Sequence, residues 1–125
     1  MPTILIAEDE LSIATLLRDM LEDEGYAVVL AQNGKEALEI LSTTRPALVL
    51  TDVMMPIVDG IALCRAIQAD PAHQAIPVIV MSAIVDRSAT DGCRAIGFLK
   101  KPFDVQNVID TITNVIGLAG HAGAS

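Results

Sequence analysis

The chain has 125 residues, enough for one domain with a core of its own and too few for two. Hydrophobic residues make up 52% of it but aromatics only 2%, with no Trp, so the core must be aliphatic and the chain is of the folded rather than the disordered class. Sixteen acids against eight bases give a net charge of −8, which argues against a nucleic-acid backbone as partner, because that binding needs Lys and Arg to displace counterions.

The opening "MPTILIAEDE" has no basic residue ahead of its short apolar run, so it reads as a first strand over 3–7 and not as an export signal. No apolar run approaches the length of a membrane crossing, and the cytoplasm is the expected compartment. Ala14, Leu17 and Leu21 then recur with helical spacing, and Gly25 is placed to end that first helix. "YAVVLA" (26–31) is a second strand. Asn33 and Glu36 have capping-box spacing and open a helix carrying Ala37, Leu38 and Leu41.

"ALVLT" (47–51) is a third apolar strand, and it runs into Asp52 before the chain turns through Pro56 and Gly60. Asp59 is a candidate cap for a third helix through Ile61, Ala62, Arg65 and Ala66. After the polar loop "DPAHQAIP", a fourth strand follows in "PVIVMS" (77–82). In "DRSATDGCRAIG" the residues Ala89, Cys93 and Ile96 keep helical spacing around the turn signal Asp91-Gly92, which predicts a short or bent fourth helix. "FL" (98–99) is a short fifth strand, and Asp104 precedes a last helix with Val105, Val108, Ile109, Ile112, Val115 and Ile116. The tail "GLAGHAGAS" has no period and reads as frayed, so the domain is placed at 1–117 and a flexible tail at 118–125.

Near-continuous apolar strands alternating with helices predict an α/β fold, a doubly wound five-stranded parallel sheet of (βα)5 form covered on both faces. Cys64 and Cys93 lie far from any ligand partner; they could pair, but two free, partly buried thiols are the expectation for a reducing compartment. His73 and His121 are expected on the surface, and Met54 and Met55 as hydrophobic wall.

In such a sheet, ligands bind beyond the carboxyl ends of the strands. The first strand ends in Glu8 and Asp9, the third in Asp52, the fourth in Ser82, and the fifth runs into Lys100 and Lys101. Singly each has a plain structural explanation: acids before a helix, a turn cap, a backbone-bonding hydroxyl, solvated lysines. Together they do not, because two carboxylates about 4 Å apart repel by about 4 kcal/mol at an effective dielectric near 20 unless something neutralises them. A lysine or a hard divalent cation would do so, and an all-oxygen donor set suits Mg²⁺. Such a carboxylate, with an ammonium and a hydroxyl nearby, has the parts needed to accept a phosphoryl group.

The segments "ILIAEDE", "LVLTDVMMPIVDG", "PVIVMSA" and "FLKKPF", in that order over residues 4–103, resemble the receiver domain of two-component response regulators. The resemblance implies a flavodoxin-like sheet of strand order 2-1-3-4-5, and it implies that Asp52 accepts a phosphoryl group from a sensor histidine kinase or phosphotransfer protein. It implies Mg²⁺ held by Glu8, Asp9, Asp52 and the Met54 main-chain carbonyl. Ser82 and Lys101 would contact the phosphoryl oxygens, Lys101-Pro102 would be a cis bond, and Ser82 with Phe98 would form the switch. The signal would leave through the face made by the fourth helix, fifth strand and last helix, where a downstream protein or a second copy of the chain would dock. Such a module is a signalling domain, not an enzyme, and is either a stand-alone regulator or part of a longer chain.

Three departures from the family pattern stand out: Glu8 where Asp is commoner, Ser82 where Thr is common, and a shortened segment between Ser82 and Lys101, in which Gly97 abuts Phe98. Met54 and Ile84, both bulky and apolar, occupy the positions that flank the attacking water in the family, which predicts slow phosphate loss. An Asp-nucleophile phosphatase is a different class, but its second Asp would fall on Met54; a nucleotide module lacks any Gly-rich phosphate loop.

Overall fold

The β-branched and aliphatic runs pair into one parallel sheet in the computed structural model, which describes residues 2–82, 93–101 and 104–124, the side chains after residue 117 excepted. Its strands are β1 (Thr3–Ala7), β2 (Ala27–Ala31), β3 (Leu48–Asp52), β4 (Val78–Ser82) and β5 (Gly97–Lys100), in the order β2-β1-β3-β4-β5. Among the described residues the helices are α1 (Leu11–Asp23), α2 (Gly34–Leu41), α3 (Gly60–Ala69) and α4 (Val105–Ala124). This is the flavodoxin-like arrangement, and its strand order reverses between β1 and β3, which puts a crevice at their carboxyl ends.

Alternate residues of each strand face opposite layers, and both layers are filled. Ile4, Ile6, Leu48, Leu50, Ile79 and Met81 meet Leu17 and Leu21 of α1 and Val108 and Ile112 of α4. On the other face Leu5, Ala7, Val49, Val78 and Val80 meet Ala37 and Leu41 of α2 and Leu63, Cys64 and Ile67 of α3. Each large side chain buried in this way is worth about 1.5–3 kcal/mol, and double coverage is why the strands read as unbroken apolar runs.

Local chemistry sets the helix ends. Asn33 Oδ1 accepts from the Glu36 amide at 2.8 Å, Asp59 Oδ1 from the Ala62 amide at 2.8 Å, and Asp104 Oδ1 from the Gln106 amide at 2.9 Å. Such caps contribute about 1 kcal/mol each. Gly25, at φ 95°, closes α1 in a conformation that few other residues adopt.

The third helix forms where expected, capped by Asp59; its buried residues are Gly60, Ile61, Leu63, Cys64 and Ile67, with Ala62 and Arg65 exposed. Several sequence expectations are corrected. Residues 93–96 form no helix: Cys93 is buried and Ile96 exposed on an irregular lead-in to β5, and the rest of the expected fourth helix lies outside the described residues. The last helix, α4, has its backbone helical over Val105–Ala124. His73 is half-buried rather than free on the surface, with Nδ1 3.0 Å from Asp70 Oδ2 and Nε2 3.0 Å from the Leu41 carbonyl, so that it ties the end of α2 to the loop after α3.

The cysteines are not free. Cys64 on the inner face of α3 and Cys93 on the β5 lead-in have Cα atoms 5.6 Å apart and are joined as a disulfide. Only the packing of α3 beside β4 and β5 brings together two positions separated by 29 residues in sequence.

Candidate functional site

Sheet register sets the heights of the functional residues. Ala7 pairs with Thr51, so Glu8 and Asp52 leave adjacent strands at the same level; Ser82 pairs with Lys100, so Lys101 emerges just beyond the hydroxyl. Backbone bonds extend the pairing to the rim. The Glu8 amide donates to Ala31 at 3.0 Å, the Val53 amide to Met81 at 3.0 Å, and the Lys101 amide to the Ser82 carbonyl at 2.8 Å.

At that rim Glu8, Asp52 and Ser82 are buried polar residues, while Asp9 is exposed. Lys101 Nζ donates to Glu8 Oε1 at 2.8 Å and to Asp52 Oδ2 at 2.9 Å, bridging the two carboxylates. The Met54 amide makes a long 3.4 Å contact with Asp52 Oδ1. Lys100 points into solvent, in keeping with its reading as surface charge. Phe98 is half-buried and packs against the core layer that contains α2, α3 and the disulfide. Met54 is 71% exposed, so it is no part of the wall expected of it; Met55 is half-buried and packs against the core. Pro102 and Ile84 lie outside the described residues.

One lysine serves two acids, and the electrostatics show the shortfall. Burial pushes the Glu8 carboxyl up to about 7, with Asp52 adding to the rise and Lys101 opposing it. Burial works against the charge on Lys101, but Glu8 and Asp52 outweigh it and hold its pKa above the usual value. Glu8 Oε2 is buried and has no hydrogen-bond partner among the described residues. One carboxylate oxygen each from Glu8, Asp9 and Asp52 lies within 4.8 Å of the others. A partnerless buried oxygen inside an all-oxygen cluster fits a hard divalent cation, which would complete the neutralisation that Lys101 begins.

Sequence reasoning missed the closeness of Gly60 to this site. A Cβ at Gly60 would run into the Asp52 carbonyl oxygen, and it would lie 2.8 Å from the Asp52 carbonyl carbon and 2.9 Å from Val53 Cα. The available signal was a glycine directly after the helix cap Asp59, at a position where most residues are better helix formers.

The chain matches the family model described as response regulator receiver domain over residues 4–113. It is 35% identical over 109 residues to the response regulator MprA of Mycolicibacterium vanbaalenii, covering 85% of this chain and 46% of that protein, so it spans about half of that relative's length. It is 32% identical over 120 residues to the polar-differentiation response regulator DivK of Brucella anthropi, covering 92% of this chain and 96% of that one. A solved structure similar to it is the receiver domain of the sensor histidine kinase PA1611 from Pseudomonas aeruginosa, with a magnesium ion coordinated in its active site cleft. The TM-score is 0.85 at 28% identity, over 93% of this chain and 98% of that one.

Proposed function

This chain belongs to the response regulator receiver domain family, and on that premise we propose that Asp52 is its phosphoacceptor. The carrying observation is the placement of Asp52: a buried carboxylate at the end of β3, bridged to Glu8 by Lys101 and within reach of Asp9. An Asp52 oxygen attacks the phosphorus of a phosphohistidine on a sensor kinase or phosphotransfer protein. The O–P bond forms as the P–N bond breaks, and the departing imidazole takes up a proton. The ammonium of Lys101 faces the charge that gathers on the phosphoryl oxygens, and the Ser82 hydroxyl is placed on the neighbouring strand to donate to another.

Glu8, Asp9, Asp52 and the Met54 carbonyl are the proposed holders of Mg²⁺, which when bound would neutralise phosphoryl charge. In this reading Asp9, exposed at the rim, would be the closer ligand, and Glu8 would assist through water. The proposed readout is a packing change at Ser82 and Phe98, transmitted to a downstream protein or to a second copy docked near β5. The compartment is the cytoplasm, where phosphohistidine donors are made; among the described residues no helix is long and apolar enough to cross a membrane. The module consumes one phosphoryl group per cycle and acts as a signalling domain rather than an enzyme on outside substrates, losing phosphate slowly.

The test is NMR of the wild type and Asp52→Asn with Mg²⁺ and beryllofluoride. Large shifts around β3, β4 and β5 in the wild type alone are expected. Identical wild-type spectra with and without beryllofluoride would refute the assignment.

A further inference from the structure

Cys64 has no exposed surface, and Cys93 is 9% exposed at the head of the stretch that enters β5. Their bond closes a ring that includes β4 and its terminal Ser82, and the ring ends just before the strand that carries Phe98 and delivers Lys101. Four residues along α3 from Cys64, on the same side of the helix, lies a second tie. Gln68 Nε2 donates to the Arg94 carbonyl at 2.8 Å, and the Arg94 amide donates to Gln68 Oε1 at 2.9 Å. The Ile96 amide also donates to the Val78 carbonyl at 2.9 Å, and β5 is the edge strand beside β4.

We propose that Cys64 and Cys93 are a reversible thiol–disulfide modification site, reduced by a small thiol of the glutathione class or by a dithiol protein. The bond latches the β5 lead-in to α3, so that the thiol state sets how readily the Asp52 site takes up its ligand; this coupling rests on the role proposed for Asp52. Disulfides that form in reducing compartments are usually transient, catalytic or redox-sensing rather than permanent staples. The Gln68 clamp supplies what reversibility requires. It keeps Arg94, and with it Cys93, beside α3 when the bond is open, so that the thiols can find each other again.

The exchange balances. An external thiolate attacks Sγ of Cys93, the less deeply buried residue of the pair, forming a mixed disulfide and expelling the Cys64 thiolate, which takes up a proton. A second external thiolate attacks the external sulfur and releases the Cys93 thiolate, so two thiols become one small disulfide while the protein gains two electrons. Oxidation by a small disulfide is the reverse.

Three measurements test the proposal on the full chain. First, folded protein is incubated with reduced glutathione, quenched with acid, then alkylated in denaturant and analysed by mass spectrometry; labels on both Cys64 and Cys93 are expected. Labelling seen only when the glutathione is added after denaturation would make the bond a permanent staple and overturn the proposal. Second, beryllofluoride with Mg²⁺ is titrated by NMR into oxidised wild type, reduced wild type and Cys93→Ala. Because the latch adds cost to any state that moves the lead-in, the oxidised form should bind roughly fivefold more weakly, with Cys93→Ala matching the reduced protein. Equal affinities in oxidised and reduced wild type would overturn the coupling.

If beryllofluoride shifts no form at all, the Asp52 assignment fails separately, and amide exchange then decides the latch. The Ile96 and Leu99 amides should exchange roughly tenfold faster after reduction, and unchanged rates would sink it.

Discussion

The α-carbon of Gly60 lies so close to the carbonyl of Asp52 that a methyl group there would overlap it, and the Gly60 amide donates to the Val53 carbonyl at 2.9 Å. The residue that starts α3 therefore clamps the strand end that carries the proposed phosphoacceptor. The contact is backbone against backbone, with no flexible side chain to move aside. Gly60→Ala should cost about 2–3 kcal/mol of stability, the upper part of the range for overpacking. It should also weaken beryllofluoride binding by roughly tenfold or more, since small misplacements of a reacting group are expensive. Urea unfolding and an NMR titration read the two effects; wild-type values in both would show that β3 relaxes freely.

Ile57 sits at φ 71° in the loop between β3 and α3, a left-handed conformation that is unusual for a β-branched residue. The strain costs roughly 1–2 kcal/mol, while glycine gives back roughly 0.5–1 kcal/mol through its looser unfolded chain. Ile57 is 75% exposed, so little packing is lost on truncation. Ile57→Gly should therefore stabilise the protein by about 0.5–1 kcal/mol, and Ile57→Val should not. A lower urea midpoint for Ile57→Gly would show that the side chain contributes more than its exposure suggests.

Glu8 makes stability depend on pH. Its carboxyl rises from 4.5 to about 7 on folding, so between those values the folded chain holds a proton that the unfolded chain has released. The stability linked to that proton is fully present below pH 4.5 and is lost as pH rises through about 7. In metal-free protein this contribution should fall by up to about 3 kcal/mol across the window, and Glu8→Gln should flatten it. Mg²⁺ should oppose the trend, stabilising more at pH 7.5 than at pH 5, because the cation needs the ionised oxygens. Urea titrations at both pH values, with EDTA or with Mg²⁺, check the sign; a metal-free midpoint that rises with pH in step with Glu8→Gln would contradict the assignment.

Reduction of Cys64–Cys93 should also register as lost stability. The sequence separation of 29 corresponds to about 3–4 kcal/mol of unfolded-chain entropy removed by the cross-link. The Gln68 clamp acts in the folded state and leaves that entropy unchanged, so the observed loss should approach about 3 kcal/mol. Calorimetry with and without reductant measures it, and an unchanged melting temperature would mean that the bond does not constrain the unfolded chain.

What could be read along the chain was local. Continuous β-branched runs gave β1, β3 and β4 because strands covered on both faces need apolar residues at every position. Asn33, Asp59 and Asp104 announced their helices because capping acts over three residues, and Glu8, Asp9, Asp52, Ser82 and Lys101 stood out because strand ends of a parallel sheet share one rim.

Tertiary structure decided whatever depends on how distant segments meet. It buried Glu8 and left Asp9 in solvent, set Lys101 between two carboxylates, and turned Leu63 and Cys64 toward the core. It also joined as a disulfide two cysteines that could pair by sequence but were expected to be free. The physical reason is common to all four: helical phase, register and crossover packing fix which atoms lie within a few ångströms, and none of these is a property of neighbours along the chain.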